Sequence, residues 1–266
     1  LITFSLCFVF SYPSFEIVQA KSVYCHSTKI SADIQKNGNV DFTESRTFYF
    51  DGDFSYGYFN LPKKGYSKLS NFKVMIDGIN LTQASQNTEE YGTFFIDDSA
   101  DKYTIYYYSK FSFEEKTVTF TYLIEGSIRL YEDYGEFSWQ LQGKDWDIGS
   151  DLFEADIKWT EAIPLENYYI WGHGPSQGNF EQVDQFHANM SCPDLYSNQV
   201  VHARVLLPSS YFQDIPMESG TILEKAIKEE TKLANKANFL RQKNKAIAIS
   251  ITIFLLLLFF FLYLKY

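Results

Sequence analysis

A charge-free apolar run close to the C-terminus constrains this chain more than any other feature. Residues 246–264 contain no charged residue, no proline and no glycine, and Ile, Leu and Phe dominate them. A helix of this length rises about 28 Å, which matches the hydrocarbon thickness of a bilayer. Tyr263 and Lys265 lie at the far end, where aromatic and basic residues meet the membrane interface. The sequence therefore predicts one transmembrane helix over residues 246–264.

The first residues form a second apolar segment, which Pro13 interrupts and Glu16 follows. Because a proline and a charge break this run, it is a poor candidate for a spanning helix. Val18 and Ala20 are the small residues that signal peptidase requires before its cleavage point. The sequence predicts a signal peptide over residues 1–20 and an exported body. Since no methionine or basic start precedes it, we expect this signal peptide to be incomplete.

Charge is divided unevenly between the body and the segment before the apolar run. Residues 21–220 carry 15 basic and 29 acidic side chains, whereas residues 221–245 carry 7 basic and 3 acidic ones. The acidic body lacks the clustered positive face that phosphate backbones require, which argues against a nucleic acid partner. The basic segment would lie outside, against the positive-inside tendency, but the signal peptide commits the body to export.

Short runs of β-branched and aromatic residues between turn signals predict a β-rich body over residues 21–220. Asn37-Gly38 and Asp77-Gly78 each separate two such runs and indicate tight hairpins. The run from Thr117 to Leu123 alternates polar and apolar residues, as a half-buried strand does. Because no long amphipathic helix intervenes, the pattern favours a β-sandwich-like extracytoplasmic domain, built as one domain or as two lobes.

The segment between body and span, residues 221–245, has the composition of a helix. Leu223, Ala226 and Ile227 begin a weak apolar stripe with three- and four-residue spacing. We expect a helical stalk that continues into the transmembrane helix. A coiled-coil homo-oligomer is an open alternative, but Glu230 interrupts the stripe and the stripe is shorter than a coiled coil requires.

Several short motifs of the body resemble one bacterial family. The motifs are Arg129–Trp139, Gly143–Asp147, Trp171–Pro175 and Val205–Pro208, together with the hairpin Gly38–Glu44. They resemble the N-terminal domain of the YciQ-like predicted membrane proteins, which carry domain of unknown function 2207. The resemblance implies a signal peptide, an extracytoplasmic β domain, a membrane segment and a further hydrophobic and cytoplasmic part. It implies no activity.

Trp171 and His173 are the candidates for a binding loop. His173 lies between two glycines that let the backbone bend closely, and Trp171 offers a face for stacking a sugar or peptide. The alternative is a plain turn with Trp171 in the core. Neither a dinucleotide motif nor the repeated histidine spacing of a zinc site is present, so we expect no cofactor and no metal.

Acidic residues cluster on either side of Trp139. We expect Trp139 itself to be buried, together with Trp146. A glycosidase needs two carboxylates that face each other across a cleft, so these clusters make an envelope hydrolase the alternative function. The same residue types are common in turns and on surfaces. The clustered residues are Glu132, Asp133, Glu136, Asp145 and Asp147.

Two cysteines, Cys25 and Cys192, remain after the signal peptide has been removed with Cys7. Outside the cytoplasm such a pair can form a disulfide, and two buried free thiols are also compatible with the spacing.

No motif specifies a reaction, and we assign no catalytic residue. We expect a membrane-anchored binding or interaction module at the bacterial envelope, with an unknown protein or glycan ligand. A structural subunit of a membrane assembly is a further alternative.

Overall fold

The computed structural model describes residues 20–265, so the predicted signal peptide lies outside the described residues. Within that range the chain forms fourteen strands and one long helix. Their bounds are β1 Ser22–Ile34, β2 Val40–Pro62, β3 Lys68–Ile76, β4 Ile79–Asn80, β5 Thr82–Gln83, β6 Thr93–Asp98, β7 Lys102–Glu125, β8 Ile128–Leu130, β9 Tyr134–Gln142, β10 Ser150–Trp159, β11 Tyr169–His173, β12 Asn179–Gln182, β13 His187–Leu195, β14 Val201–Pro208 and α1 Leu223–Lys265.

The strands form a large sheet and a small sheet. The large sheet has ten strands, eight of them in the order β12-β13-β10-β1-β2-β7-β3-β4, while β6 pairs with β7 and with β5. The small sheet has the order β11-β14-β9-β8. Most pairs are antiparallel, but β1 runs parallel to β10 and β5 runs parallel to β6. The predicted mainly β, sandwich-like fold class is therefore confirmed.

Two strands are much longer than the sequence predicted. β2 has 23 residues and β7 has 24, and they pair with each other along most of their length. The prediction of separate short strands across this region was wrong, because bulges rather than turns interrupt the alternation. The pairing of β2 with β7 shifts between Phe50 and Asp53, where Gly52 has a φ of 123°. A bulge bends a strand without ending it.

The two hairpins signalled by glycine are present. Gly38 has a φ of 76° in the turn between β1 and β2, and Gly78 has a φ of 79° between β3 and β4. Asp77 also has a positive φ, of 50°. Two successive residues with positive φ are typical of the tight turn that matches the twist of paired strands.

One hydrophobic core joins the two sheets. Phe42 of the large sheet lies 5.1 Å from Trp139 and 6.4 Å from Phe137 of the small sheet, measured between ring centroids. Tyr122 of the large sheet stacks on Phe42, with 5.0 Å between the ring centroids. These residues belong to a single buried cluster that includes side chains from both sheets. The sheets therefore pack as the two layers of one body, not as two separate lobes.

Helix α1 adds a third layer and then leaves the body. Ile222, just before the helix, and Ala226, in its first turn, are buried against Leu206 on the outer face of the small sheet. From Thr231 to Leu257 every residue is exposed. The helix has 43 residues and is long and apolar enough to cross a membrane. The predicted stalk and transmembrane segment are thus parts of one continuous helix.

The two cysteines are free and buried. Cys25 lies on β1 and Cys192 on β13, and β10 separates these strands in the sheet. Two strand spacings amount to roughly 9.6 Å, which exceeds the Cα separation that a disulfide spans. The structure thus has two buried free thiols, and the disulfide is not formed.

Candidate functional site

Two charged residues face the interior from the first half of β2. Glu44 and Arg46 occupy inward positions in the alternation that also buries Phe42 and Phe48. Their exposed fractions are 4% and 2%. Charged side chains are almost never buried to this extent unless they are paired, so their partners decide what this part of the core can do.

Glu44 neutralises Arg46 inside the protein. Arg46 donates from Nη2 to Glu44 Oε2 at 3.0 Å and from Nη1 to Thr28 Oγ1 at 3.4 Å. The Tyr122 hydroxyl donates to the other oxygen of Glu44. Burial, followed by the neighbouring Glu44 carboxylate, raises the pKa of Tyr122 well above its usual range, so the phenol stays a neutral donor. Both carboxylate oxygens are therefore occupied.

Trp146, in the loop after β9, covers the guanidinium of Arg46. The guanidinium carbon lies 4.1 Å from the centre of the Trp146 ring, a close cation–π contact. The expectation that both Trp139 and Trp146 are buried is right for Trp139, which is 7% exposed. Trp146 is only half-buried, because its ring lies at the edge of the core.

A cavity of about 300 Å³ opens beside this cation–π pair. It lies between the last residues of β9 and the second half of β2. Its apolar walls are Phe59, Leu61, Trp139 and Leu141. Three exposed charged residues, Asp101, Lys102 and Asp145, lie at its rim. We call this space the binding cavity.

Three residues that line the binding cavity also carry buried polar atoms without a partner. They are Arg46 Nε, Trp146 Nε1, and both Oε1 and Nε2 of Gln142, and none bonds to any group in residues 20–265. Gln142 is 3% exposed, although it ends a strand. An unsatisfied buried group costs about 1–3 kcal/mol, and each one in a native structure requires an explanation. The three residues line one cavity, but these atoms themselves are closed to solvent.

A second group of buried charges attaches α1 to the small sheet. Arg204 of β14 donates from Nε to Glu136 Oε1 at 2.7 Å, and from Nη1 to Glu230 Oε1 at 3.0 Å and Glu229 Oε2 at 3.1 Å. His173 Nε2 lies 3.2 Å from Glu230 Oε2. We call these five residues the attachment cluster. Glu136 and Glu230 are 2% and 6% exposed.

The candidate binding loop at Trp171 and His173 is a strand, and the prediction of a loop was wrong. Both residues lie on β11, on the face that α1 covers. The ring of Trp171 lies 5.9 Å from the guanidinium carbon of Arg204, and His173 contacts Glu230. Gly172 beside His173 serves packing, since a Cβ there would meet Phe180 at 2.7 Å. These residues hold the helix.

The acidic residues that cluster in the sequence around Trp139 lie in different parts of the structure. Asp133 accepts the backbone N–H groups of Ile222 and Leu223 at 2.8 and 3.0 Å, as a residue that caps a helix does. Glu132 accepts the N–H of Gly220, and Glu136 belongs to the attachment cluster. Asp145 lies at the rim of the binding cavity and Asp147 is exposed.

No metal site is evident in the part of the chain that the structure describes. Within residues 20–265, no three His, Cys, Asp or Glu side chains are grouped as metal ligands are.

The binding cavity and the attachment cluster were both missed in the sequence, although each leaves a signal. Along β2 the inward positions read Phe42, Glu44, Arg46, Phe48, and charges at inward positions of a strand indicate a buried polar site. On α1, Glu230 interrupts an apolar stripe because it faces Arg204.

Residues 24–207 match the family model described as "Predicted membrane protein (DUF2207) N-terminal domain". The chain belongs to this family. None of the curated proteins compared with this DUF2207 chain matches it. An M1 zinc metallopeptidase from Deinococcus radiodurans aligns with a TM-score of 0.38 at 8% identity, over 68% of this chain and 42% of that one. Yeast LTA4 hydrolase in complex with bestatin aligns with a TM-score of 0.43 at 9% identity, over 68% and 28%.

This DUF2207 chain therefore spans less than half the length of those two structures. The scores are too low to assign a shared fold or activity.

Proposed function

We propose that this chain is a membrane-anchored binding module of the bacterial envelope, with its β body outside the cytoplasm and the binding cavity as its ligand site. The observation that carries the proposal is the lining of that cavity, in which Glu44, Arg46 and Gln142 lie beside the aromatic rings of Phe59, Trp139 and Trp146. Outward exposure is supported by the signal peptide that the sequence predicts.

The size of the cavity limits the ligand. A volume of about 300 Å³ lies at the lower end of the range for small-molecule sites. Such a space accommodates a small molecule or one residue of a larger one. The combination of aromatic walls and a few convergent polar groups is the usual lining of a ligand site.

Binding without turnover is the activity that the charged groups support best. Acid–base catalysis requires a carboxylate or another group that is free to exchange a proton with a substrate. Inside the cavity, Arg46 and Tyr122 occupy both oxygens of Glu44. Of the acidic residues considered for a hydrolase, Asp145 alone lines the cavity, and it lies at the rim.

The four tryptophans provide a direct test. The full chain is labelled with 5-fluorotryptophan, reconstituted in nanodiscs, and titrated with neutral saccharides, acetylated saccharides, short peptides and organic anions. Trp139 and Trp146 line the cavity, whereas Trp159 and Trp171 lie outside it. We expect a ligand to shift the ¹⁹F signals of Trp139 and Trp146, to leave the other two unchanged, and to be recovered chemically intact.

A matched pair of variants controls for specificity. Gln142→Leu changes a side chain that lines the cavity, while Gln83→Leu makes the same change at an exposed position on β5. We expect the first variant to weaken binding and the second to bind like the parent. The proposal fails if no compound moves the Trp146 signal, or if all four signals move together.

A further inference from the structure

The second half of β2 is an edge strand. β1 begins at Ser22, which pairs with Asp51, so it does not reach the later residues of β2. Within residues 20–265, β7 is the one strand that pairs with β2 from Asp53 to Pro62. An unpaired strand edge presents backbone N–H and C=O groups and is a template for a further strand. We call residues 56–60 the free edge.

The direction of the backbone groups along the free edge follows from one hydrogen bond. Just after β2, the N–H of Lys63 donates to the carbonyl of Asp101 at 2.8 Å. Bonded and non-bonded pairs alternate along an antiparallel ladder, so the odd-numbered residues of this part of β2 bond to β7. The even-numbered Tyr58 and Asn60 therefore direct their N–H and C=O groups away from β7. Pro62, which has no N–H, occupies the next even position, as prolines do at sheet edges.

These backbone groups lack a partner and belong to an exposed stretch of strand. Within the described residues, no other backbone group bonds to Tyr58 or Asn60 on the free side. Tyr56 and Tyr58 are 50% and 43% exposed, and Asn60 is partly exposed. Proteins usually block such an edge with a bulge, a lysine or a proline. Here a bulge precedes Tyr56 and Pro62 follows the free edge, which leaves the stretch between them unprotected.

The binding cavity lies beside the free edge, on its inner face. Phe59, whose side chain is buried, lines the cavity together with Asn60. In a strand added to β2, the residue opposite Phe59 projects its side chain to the same face, because successive side chains alternate. That side chain enters the cavity between Phe59, Trp139 and Trp146. A volume of about 300 Å³ and these aromatic walls suit one large apolar side chain.

The outer face of the free edge is aromatic. The ring of Tyr56 lies 6.4 Å from that of Tyr106 and 6.1 Å from that of Tyr108, measured between centroids. Tyr58 lies opposite Tyr106 on the neighbouring strand β7. Aromatic and β-branched side chains stabilise neighbouring strands when they pack side by side. The two residues that flank the cavity residue of an added strand would pack on these tyrosines.

The charges near the free edge favour a partner without acidic side chains. The rim of the cavity carries Asp101, Asp145 and Lys102, and residues 21–220 have 15 basic and 29 acidic side chains. This acidic surface repels anions and attracts cations. The partner also has to be extended, because main-chain hydrogen bonds supply the affinity when a strand is added to a sheet edge.

We infer that an extended, neutral or basic peptide segment adds to the free edge as an antiparallel strand, pairs with the backbone of Tyr58 and Asn60, and inserts one large apolar side chain into the binding cavity. The inference rests on the proposed function, since it names the ligand class of the same site. It makes the body a receptor for a polypeptide segment that is free to become extended.

The test uses a peptide whose N–H groups can be blocked on one side at a time. The parent probe, acetyl-Lys-Thr-Phe-Thr-Lys-amide, is titrated against the full chain in nanodiscs, with the ¹⁹F signal of Trp146 and isothermal titration as readouts. With the probe's phenylalanine in the cavity, the N–H groups of both threonines face β2 and that of the phenylalanine faces away. N-methylation of both threonines should weaken binding at least about tenfold, whereas N-methylation of the phenylalanine should leave the affinity unchanged.

A probe with alanine in place of phenylalanine tests the cavity. It should bind at least about tenfold more weakly, because it buries less apolar area.

A matched pair of variants tests the free edge from the side of the protein. Asn60→Pro removes one N–H group of the free edge, whereas Asn60→Ala keeps that group and removes only the side chain. We expect Asn60→Pro to bind the parent probe at least about tenfold more weakly and Asn60→Ala to bind it like the parent protein. A thermal melt and the signal of Trp159, outside the cavity, confirm that each variant is folded. If Asn60→Pro does not fold, the N-methylated probes on the parent protein decide.

The outcomes distinguish this inference from the proposed function. Equal affinities of the two N-methylated probes would overturn strand addition. A dimer in detergent micelles that Asn60→Pro dissociates would assign the free edge to a second copy of the chain and would also overturn it. If a saccharide or an organic anion shifts Trp146 but no peptide does, the ligand class is wrong while the cavity remains a ligand site. If no compound in either panel shifts Trp146, both proposals fail.

Discussion

Replacing Arg204 should release helix α1 from the body. Arg204→Met keeps most of the side-chain length but removes the guanidinium that joins Glu136 to Glu230. Two carboxylates that are 2% and 6% exposed then lose their shared counter-charge. The first turns of α1 rest on the small sheet through this cluster and a small apolar contact, so the helix should detach before the sheets separate.

The cost follows from the geometry. At 2.7 and 3.0 Å and an effective dielectric constant near 20, each contact is worth roughly 5–6 kcal/mol of Coulomb attraction. The variant also relieves the desolvation of the guanidinium, which is several kcal/mol. Glu136 keeps Arg129, and Glu230 keeps His173. The net destabilisation should be about 3–5 kcal/mol, as when one partner of a buried pair is removed.

On the full chain in detergent micelles, hydrogen exchange measures the release of the helix and urea unfolding measures the loss of stability. We expect faster exchange at Ile222–Glu230 and a lower urea midpoint. Arg241→Met, at an exposed position of the same helix, is the control and should change stability by less than about 0.5 kcal/mol. Adding Glu136→Gln and Glu230→Gln to the Arg204 variant should restore part of the loss.

Parent-like stability and exchange in Arg204→Met would show that the attachment cluster contributes nothing to docking. The apolar contact alone would then hold the helix.

Three further predictions concern pH, the tryptophans and topology. Burial, and then the neighbouring His173, lowers the pKa of His202, so the unfolded chain binds the proton more readily. Stability should therefore fall as the pH drops below about 6.5. The urea midpoint, followed from about pH 7.5 to about pH 5.5, measures this fall, and His202→Gln should reduce the pH dependence of the midpoint. Trp139→Ala should lower the free energy of unfolding by about 3–5 kcal/mol, and the half-buried Trp146→Ala by less, in thermal melts. Protease added to cells whose outer layer has been made permeable should remove the body, and full protection would contradict the proposed topology.

The fold class was predictable because it depends on local signals. Apolar alternation, the two glycine hairpins and the charge-free C-terminal run each act within a few residues. The lengths of β2 and β7 were not predictable from such signals. A bulge such as the one near Gly52 has the composition of a turn, and only the pairing with β7 shows that the strand continues.

The candidate site was predictable to a lesser degree, because its residues come from distant segments. Arg46 and Gln142 are brought together by the packing of the large sheet on the small one. For Trp171 and His173, the glycines favoured a loop, while the partner that fixes their role, Glu230, lies on a helix much later in the chain. Only the inward charges on β2 could have indicated the cavity in advance.

Helix α1 contains no glycine and no proline between Leu223 and Lys265. Its hydrogen-bond ladder therefore has no built-in weak point, and 43 residues of helix form a rod about 65 Å long. With one end fixed to the small sheet, this rod acts as a lever. A tilt of about 5° at the attachment cluster displaces the far end by roughly 6 Å, close to the rise of one helical turn. A movement within the body too small to change its fold would thus become a sideways displacement of roughly 6 Å at the far end of the helix.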